Sequence, residues 1–254
     1  MIRLTSLELP LLNDIRRVSR DISAELTRAK VVHFHGQPFS DSSLQTWEEI
    51  AAGIGDVMRN GEDSATGLPN GDRWIDVRYL PDKQYTFRHS STAQPLHTDD
   101  AYKPLKESAT YVLFLVEKSA TDGGETYFVD AAELAAYVRE TNPGLLEKLL
   151  TLPVTFAKHI EGKTSPVLKV VDGQWEVTWN YYNVDPNSSA DVLKLREEFQ
   201  ALLCSPETYE RLSYGFRLGT SEGVVWHDRK VLHGRTAFSA SHPGERIIWK
   251  CNIY

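Results

Sequence analysis

The sequence of 254 residues contains only two cysteines, Cys204 and Cys251, which excludes a disulfide framework and a Cys-x-x-Cys metal site. No apolar run approaches the roughly 18 residues needed to cross a bilayer. The N-terminal segment lacks the long apolar stretch and the cleavage site of a secretory signal. Basic residues are dispersed under a net charge of −7, so no nucleic-acid surface is predicted. These absences predict a protein of the reducing cytoplasm, without a membrane or nucleic-acid partner.

The N-terminal portion, residues 1–52, shows helix and strand signals in turn. The run NDIRRVSRDISAELTRAK places apolar side chains at helical spacing behind an N-cap at Asn13 or Asp14. The run VVHF indicates a short strand, and a second helix is predicted after a cap near Ser43. Residues 53–73 hold five glycines and few apolar residues, which predicts a long loop and a candidate lid.

From Trp74 onward, short β-branched and aromatic runs dominate, separated by turn residues. The predicted strands are WIDVRYL, YTFRH, ATYVLFLVE, ETYFVD, LPVTFAKH, PVLKVV, QWEVTW, RLSYGFRL, GVVWHD and RIIWKCNIY. Asp172-Gly173 between two of these runs is typical of a hairpin. Helical patterns interrupt the strands at AAELAAYVRE with NPGLLEKLL, and at SSADVLKLREEFQALL. The pattern predicts a single domain over residues 1–254, mostly β with flanking helices, folded as a β-sandwich or jelly roll.

The stretch AQPLHTDDAY contains the first two candidate metal ligands, His97 and Asp99. In a strand, residues two apart point to the same face, so both side chains can approach one ion while Asp100 points away. Imidazole and carboxylate at this spacing suit a first-row divalent metal. Taken alone the signal is weak, because His-x-Asp occurs by chance in many sequences.

His233 is the candidate for a second imidazole, in the run WHDRKVLHGR. It is followed by Arg246, at the start of RIIWKCNIY, a run with the pattern of a buried strand. A buried arginine needs an anionic partner, because an unpaired charge in a core is very costly. An upstream HTD together with a late histidine and a strand-borne arginine is far more specific than either signal alone.

The HTD stretch at residues 97–99, His233 and Arg246 resemble the signature of the Fe(II)/2-oxoglutarate-dependent oxygenases. Within these enzymes the match is to the taurine dioxygenase and clavaminate synthase-like group. The run DGGETYFVD resembles the Gly-Gly-x-Thr of that group. The run WHDRKVLH resembles the Trp, acid and Arg that lead to the group's distal histidine. The resemblance spans residues 97–250 and implies a double-stranded β-helix, which is a jelly roll.

The resemblance also implies a role for each motif residue. His97, Asp99 and His233 would bind Fe(II), with O2 and 2-oxoglutarate as co-substrates. Arg246 would clamp the distal carboxylate of 2-oxoglutarate, and Thr126 would donate a hydrogen bond to it. The products would be succinate, CO2 and an oxidised small-molecule substrate. Asp99 implies an oxygenase, because related halogenases have a small residue in its place.

Three residues near the motif are the candidate substrate ligands: Arg88, Tyr102 and Lys250. Two cations and an aromatic ring suit a small anionic or zwitterionic molecule, so an amino-acid-like metabolite is the predicted substrate. Alternatively, the two cations are solvated or paired with acidic residues. The taurine-specific enzymes have an arginine at the position of Lys250, so taurine itself is not the predicted substrate.

Other interpretations remain open on the sequence alone. One is a metal-binding β-helix protein without oxygenase activity, either a 2-oxoglutarate sensor or a cupin-like isomerase. Another is a ligand-binding jelly roll without a metal. Thr126 can be an ordinary strand residue, Arg246 can pair with a structural aspartate, and His233 can be a core histidine. The combination of Arg246 with Thr126 favours the oxygenase, since a cupin isomerase has no need of it.

Overall fold

The computed structural model describes residues 4–8, 14–36, 43–59, 61, 63, 66 and 70–254. The strands in these ranges are β1 (Leu4–Glu8), β2 (Val31–His35), β3 (Trp74–Arg78), β4 (Gln94–His97), β5 (Tyr111–Lys118), β6 (Thr126–Asp130), β7 (Val154–Lys158), β8 (Glu161–Ser165), β9 (Leu168–Val171), β10 (Gln174–Val177), β11 (Tyr214–Phe216), β12 (Gly223–His227), β13 (Val231–Arg235) and β14 (Ile247–Ile253). The α-helices are α1 (Ile15–Leu26), α2 (Leu44–Ala52), α3 (Ala131–Thr141), α4 (Pro143–Thr151), α5 (Ala190–Leu203) and α6 (Pro206–Leu212).

Two larger sheets form the centre of the fold. One has six strands in the order β1-β2-β12-β5-β14-β3, and the other has four in the order β11-β6-β13-β4. Within them β1 and β2 pair in parallel, and the remaining neighbours pair antiparallel. The predicted class, a mostly β jelly roll with flanking helices, is confirmed.

The side chains of β5 show how the layers are arranged. Leu113 and Leu115 pack into the core that contains residues of α1 and α2, whereas Val112 and Val116 pack with residues of the four-stranded sheet. This alternation follows from the two-residue period of a strand. Because both faces are buried, the strand is apolar nearly throughout. The six-stranded sheet therefore lies between a helical layer and the second sheet.

The four-stranded sheet alternates in the same way. In β13, Val231 packs between the sheets, while Leu232 packs against the core formed with α3, α4 and α5. His233 follows two residues after Val231, so its imidazole faces the space between the sheets, in contact with Phe114 and Trp226. The strand period thus places a polar ligand in an otherwise apolar interior.

The N-terminal elements largely agree with the prediction. Asp14 caps α1, its side chain accepting from the backbone N–H of Arg17 at 3.1 Å, and Ser43 immediately precedes α2. Asn13, the alternative cap, and part of the predicted loop 53–73 lie outside the described residues. The described residues of that loop form no helix or strand, and the assignment of a lid stays a prediction.

One predicted strand is wrong. The run YTFRH forms consecutive turns, in which the carbonyl of Thr86 accepts from the backbone N–H groups of His89 and Ser90. Its aromatic composition favours a strand, but Arg88 is drawn to Asp76 on β3, which closes the segment into a compact turn. Four elements are not among the predicted helices and strands: β1, β8, β13 and α6. Among the helices of the described residues, none has the length and apolar composition needed to cross a bilayer.

Candidate active site

The strand register brings the two candidate imidazoles together. His97 on β4 lies directly opposite His233 on β13, and their ring centroids are 4.1 Å apart. Asp99 follows two residues later, and one ligand atom from each of the three side chains lies within 4.8 Å of the others. Both histidines are buried. Two imidazoles and one carboxylate in this arrangement suit a mononuclear metal site with open positions.

Asp99 reaches the cluster by a different route from the one predicted. β4 ends at His97, and Asp99 and Asp100 lie in a turn, with Asp100 at a φ of 49°. The backbone N–H of Thr98 donates to the carbonyl of Trp179 at 2.7 Å, so the pairing of β4 with β13 has ended by this residue. Asp100 accepts from Asn252 and pairs with Lys103, and it lies outside the ligand cluster although it lines the same cavity.

The hydrogen bonds of His97 show which of its two ring nitrogens can bind a metal. Its Nδ1 lies 2.9 Å from the carbonyl of Pro95, which can only accept, so Nδ1 carries the proton and Nε2 carries the lone pair. The side-chain amide nitrogen of Gln94 lies 3.0 Å from Nε2 and donates to that lone pair. A metal bound at Nε2 therefore requires the Gln94 side chain to turn away.

Replacing Gln94 by alanine is expected to tighten metal binding. One hydrogen bond to Nε2 no longer has to be broken, and such a bond is worth about 0.5–1.5 kcal/mol, or roughly two- to tenfold in affinity. Anaerobic titration with Co(II) measures the change. Gln84→Ala, a glutamine on the neighbouring turn that contacts Tyr79, serves as the control and should leave the affinity unchanged. Weaker binding by Gln94→Ala would contradict the geometry.

The carboxylate of Asp99 is held by Lys250. The ammonium group of Lys250 lies 2.7 Å from Oδ2, while Oδ1 lies 4.0 Å from Nε2 of His97. Oδ2 is therefore engaged by the lysine, and Oδ1 is turned toward the imidazoles. Lys250 comes from β14, whose inward-facing side chains also include Ile248 and Asn252.

The protonation states also fit a metal. Burial lowers the pKa of His97, although Asp99 opposes the shift, and burial lowers the pKa of His233 well below its ordinary value. Burial alone would raise the pKa of Asp99, but the ammonium group of Lys250 lowers it below its ordinary value. At neutral pH the cluster thus presents two neutral imidazoles and one carboxylate, the forms that coordinate metals.

Arg246 forms a second candidate site at one end of the sheets. It immediately precedes β14 and is 3% exposed, and among the described residues no carboxylate forms an ion pair with it. Burial lowers its pKa well below the ordinary value, and the nearby guanidinium of Arg235 lowers it further. A cation in this situation suits an anionic ligand.

Gly124 lies beside Arg246, and Thr126 follows two residues later at the start of β6. Gly124 has a φ of 73°, and a Cβ on it would lie 3.6 Å from Nε of Arg246, so glycine leaves space beside the guanidinium. Thr126 is buried and pairs with Arg235 in the β6–β13 register. The residues present therefore fit a small dicarboxylate.

A cavity of about 640 Å³ opens in front of the metal ligands. Its size is typical of small-molecule sites. The three predicted substrate residues, Arg88, Tyr102 and Lys250, line it together with the ligand cluster. Thr126 and Arg246 are not among the described residues that line it.

Both predicted substrate cations have carboxylate partners. Arg88 bonds to the carboxylate and, at 2.6 Å, to the backbone carbonyl of Asp76, and Lys250 binds Asp99 as described. The pairing alternative considered for these residues is therefore the observed arrangement. Tyr102 lies beside two further cations of the cavity, with the ammonium groups of Lys103 and Lys158 at 5.9 and 5.4 Å from its ring centroid.

Several residues of the cavity are not predicted from the sequence. Lys103 directly follows Tyr102, and its proximity to the motif is a signal that could have indicated it. Gln94, three residues before His97, has the same signal. Lys158 and Asn183 have none, because they join the site only through the folding of β7 and the turn after Trp179.

A jelly roll with two histidines and an aspartate grouped at one site is typical of proteins that bind a single metal ion. The chain belongs to the taurine catabolism dioxygenase TauD, TfdA family, whose model matches residues 5–252. The resemblance noted at the HTD and His233 motifs is therefore confirmed, and the protein is a dioxygenase of that family. The comparison with curated protein sequences gives no match.

Solved structures support the same fold. An asparagine oxygenase in complex with Fe(II), 3-hydroxyasparagine and succinate has a TM-score of 0.69 and 17% identity, covering 94% of this chain and 78% of that one. The oxygenase OrfP with Fe and α-ketoglutaric acid has a TM-score of 0.69 and 12% identity, covering 100% and 94%. A taurine dioxygenase from Burkholderia xenovorans has a TM-score of 0.68 and 17% identity, covering 100% and 87%.

Proposed function

We propose that this protein is an Fe(II)- and 2-oxoglutarate-dependent dioxygenase that hydroxylates, or otherwise oxidises, a small amino-acid-like metabolite. The observation that carries the proposal is the cluster of His97, Asp99 and His233 in a member of a dioxygenase family. When bound, iron with 2-oxoglutarate and O2 supplies oxidative decarboxylation, which releases succinate and CO2 and oxidises a substrate C–H bond.

The protein's own residues hold and orient these groups. His97 and His233 offer nitrogen lone pairs to the iron, and Asp99 offers Oδ1 while Lys250 holds Oδ2. Arg246 binds the distal carboxylate of 2-oxoglutarate, since it is a buried cation without an ion-pair partner among the described residues, and Thr126 adds a hydroxyl donor.

The charge of the cavity supports an anionic or zwitterionic substrate. Its described lining includes four cations and two carboxylates. The cations are Arg88, Lys103, Lys158 and Lys250, and the carboxylates are Asp99 and Asp100. Two structural relatives are solved with 3-hydroxyasparagine and with dihydroxy-L-Arg, both amino acids. Their example supports an amino-acid-like substrate in a cavity of this charge.

The cellular location, the domain organisation and the partner of the protein are part of the same proposal. We place the protein in the cytoplasm as a single domain, because it has two free cysteines and its family match extends over residues 5–252. The proposed partner is a small molecule, and the dispersed basic residues do not favour nucleic acid.

Two measurements test the proposed reaction. Adding Fe(II) and 2-oxoglutarate without oxygen should give a weak visible charge-transfer band. With oxygen, a screen of amino acids and related metabolites should find compounds that trigger succinate release. A band without succinate release from any compound would instead support a 2-oxoglutarate sensor, and the absence of any band would refute the iron site.

Variants of the cavity cations test the substrate class. Arg88→Ala and Lys250→Ala are each expected to raise the Michaelis constant for the substrate found in the screen, because each removes a positive charge from the cavity. Since Lys250 also holds Asp99, Fe(II) affinity is measured in the same variants, and a Michaelis constant raised at unchanged Fe(II) affinity supports the cationic pocket. Lys106→Ala is the control, since its side chain is 78% exposed and lies outside the cavity lining. Wild-type Michaelis constants in both cavity variants would refute the cationic pocket while leaving the iron chemistry intact.

A further inference from the structure

Asp228 is a buried aspartate that lies close to two of the candidate metal ligands, Asp99 and His233. It lies in the turn between β12 and β13 and is 2% exposed. We infer that Asp228 is a positioning residue, which holds His233 and Asp99 in the geometry that binds the metal. The inference rests on the proposed function, because it assigns the residue to the proposed iron site.

Each carboxylate oxygen of Asp228 has a defined neighbour. Oδ2 accepts from the backbone N–H of Asp99 at 2.9 Å, and Oδ1 accepts from the indole N–H of Trp226 at 3.1 Å. Nδ1 of His233 lies 3.5 Å from Oδ1. One side chain thus connects the backbone of one ligand with the imidazole of another.

The contact with Asp99 explains how the turn after β4 is held. β4 and β13 pair at His97 and His233, and Asp99 lies beyond the last paired residue. Its backbone N–H therefore bonds to a side chain, where a continuing strand would have supplied a carbonyl. Without this acceptor, a backbone donor next to a metal ligand would lose its partner, at a cost comparable to a hydrogen bond.

The position of Asp228 beside His233 favours one tautomer of this ligand. Nδ1 has no hydrogen bond of ordinary length within the described part of the chain, and Oδ1 of Asp228 is the carboxylate oxygen facing it. A proton on Nδ1 directed at that oxygen leaves the lone pair on Nε2 for a metal. Carboxyl partners of this kind orient metal-binding histidines.

Trp226 completes the arrangement. Its indole donates to Asp228, and its ring centroid lies 4.7 Å from that of His233. The tryptophan therefore fixes both the carboxylate and the imidazole that the carboxylate orients. Burial raises the pKa of Asp228, but the inferred role needs only its oxygen lone pairs, which both protonation states possess.

A purely structural role for Asp228 would predict a different set of effects. Asp130 provides the comparison, since it is also a buried aspartate, caps α3 and pairs with Lys30, yet it is not part of the ligand cluster. Loss of either carboxylate should lower stability. Only loss of Asp228 should alter the metal site.

The test compares Asp228→Ala, Asp228→Asn and the control Asp130→Asn by anaerobic Co(II) titration, with the visible d–d spectrum of Co(II) as the readout. Asp228→Ala should weaken Co(II) binding about 10- to 100-fold and shift the spectrum. Asp228→Asn keeps one oxygen acceptor and should fall between Asp228→Ala and wild type. Asp130→Asn should match wild type in both affinity and spectrum.

Thermal unfolding of each variant separates stability from metal binding. If Asp228→Ala fails to fold, the conservative Asp228→Asn still decides the question by its spectrum and affinity. Affinity and spectrum unchanged in the folded Asp228 variants would overturn the positioning role and leave the proposed function standing. Absence of Co(II) binding by the wild-type protein would instead refute the metal site itself, and the inference with it.

Discussion

Replacing either His97 or His233 by alanine is expected to abolish tight Fe(II) binding. Each variant removes one of three ligands, and two remaining donors leave the metal largely exchangeable with water. Removal of an outer-shell partner alone costs about 10- to 100-fold in metal affinity, so loss of a direct ligand should exceed about 100-fold. Anaerobic Fe(II) titration measures the affinity, and circular dichroism establishes that the fold persists.

His89→Ala is the matched control for these variants. His89 is likewise a buried histidine, 2% exposed, but its Nδ1 bonds to the carbonyl of Arg78 and it lies outside the ligand cluster. It should bind Fe(II) as the wild type does. Asp100→Asn should also be mild, because Asp100 bonds to Asn252 and Lys103 instead of approaching the imidazoles. Unchanged Fe(II) affinity in both His97→Ala and His233→Ala would refute the assignment.

Local signals predict the parts of the fold that depend on few residues. The hairpin of β9 and β10 turns at Asp172-Gly173, which have φ angles of 49° and 74°, as the sequence predicts. Pro143 begins α4 as expected. The run YTFRH fails for the opposite reason, because the ion pair of Arg88 with Asp76 is a long-range contact that overrides strand propensity.

The candidate site is likewise predictable from the sequence only in part. The residue types and their order predict His97, Asp99 and His233 as ligands. The register of β4 and β13, which places the two imidazoles opposite each other, cannot be predicted from the sequence. It also does not show that Lys250 holds Asp99, or that Gln94 bonds to His97. These contacts depend on how β14, β4 and β13 meet, and pattern analysis along one strand cannot supply that.

The second prediction concerns the co-substrate. Arg246→Lys is expected to lower the affinity for 2-oxoglutarate at least tenfold, a loss of about 1.4 kcal/mol. Lysine keeps the positive charge but loses the planar fork that binds a carboxylate through two parallel hydrogen bonds. Titration of the charge-transfer band with 2-oxoglutarate, under anaerobic conditions and saturating Fe(II), measures the affinity.

Arg78→Lys is the control that distinguishes loss of carboxylate binding by Arg246 from a general effect of replacing an arginine by lysine. Arg78 pairs with Asp76 and lies over the ring of Trp249, and it is outside the cavity lining. Its variant should bind 2-oxoglutarate as the wild type does, whereas Arg246→Lys should not. Fe(II) affinity should stay unchanged in both, because neither arginine belongs to the ligand cluster. If Arg246→Lys bound 2-oxoglutarate as tightly as wild type, Arg246 would not be the carboxylate clamp, and its burial without an ion-pair partner among the described residues would need another ligand to explain it.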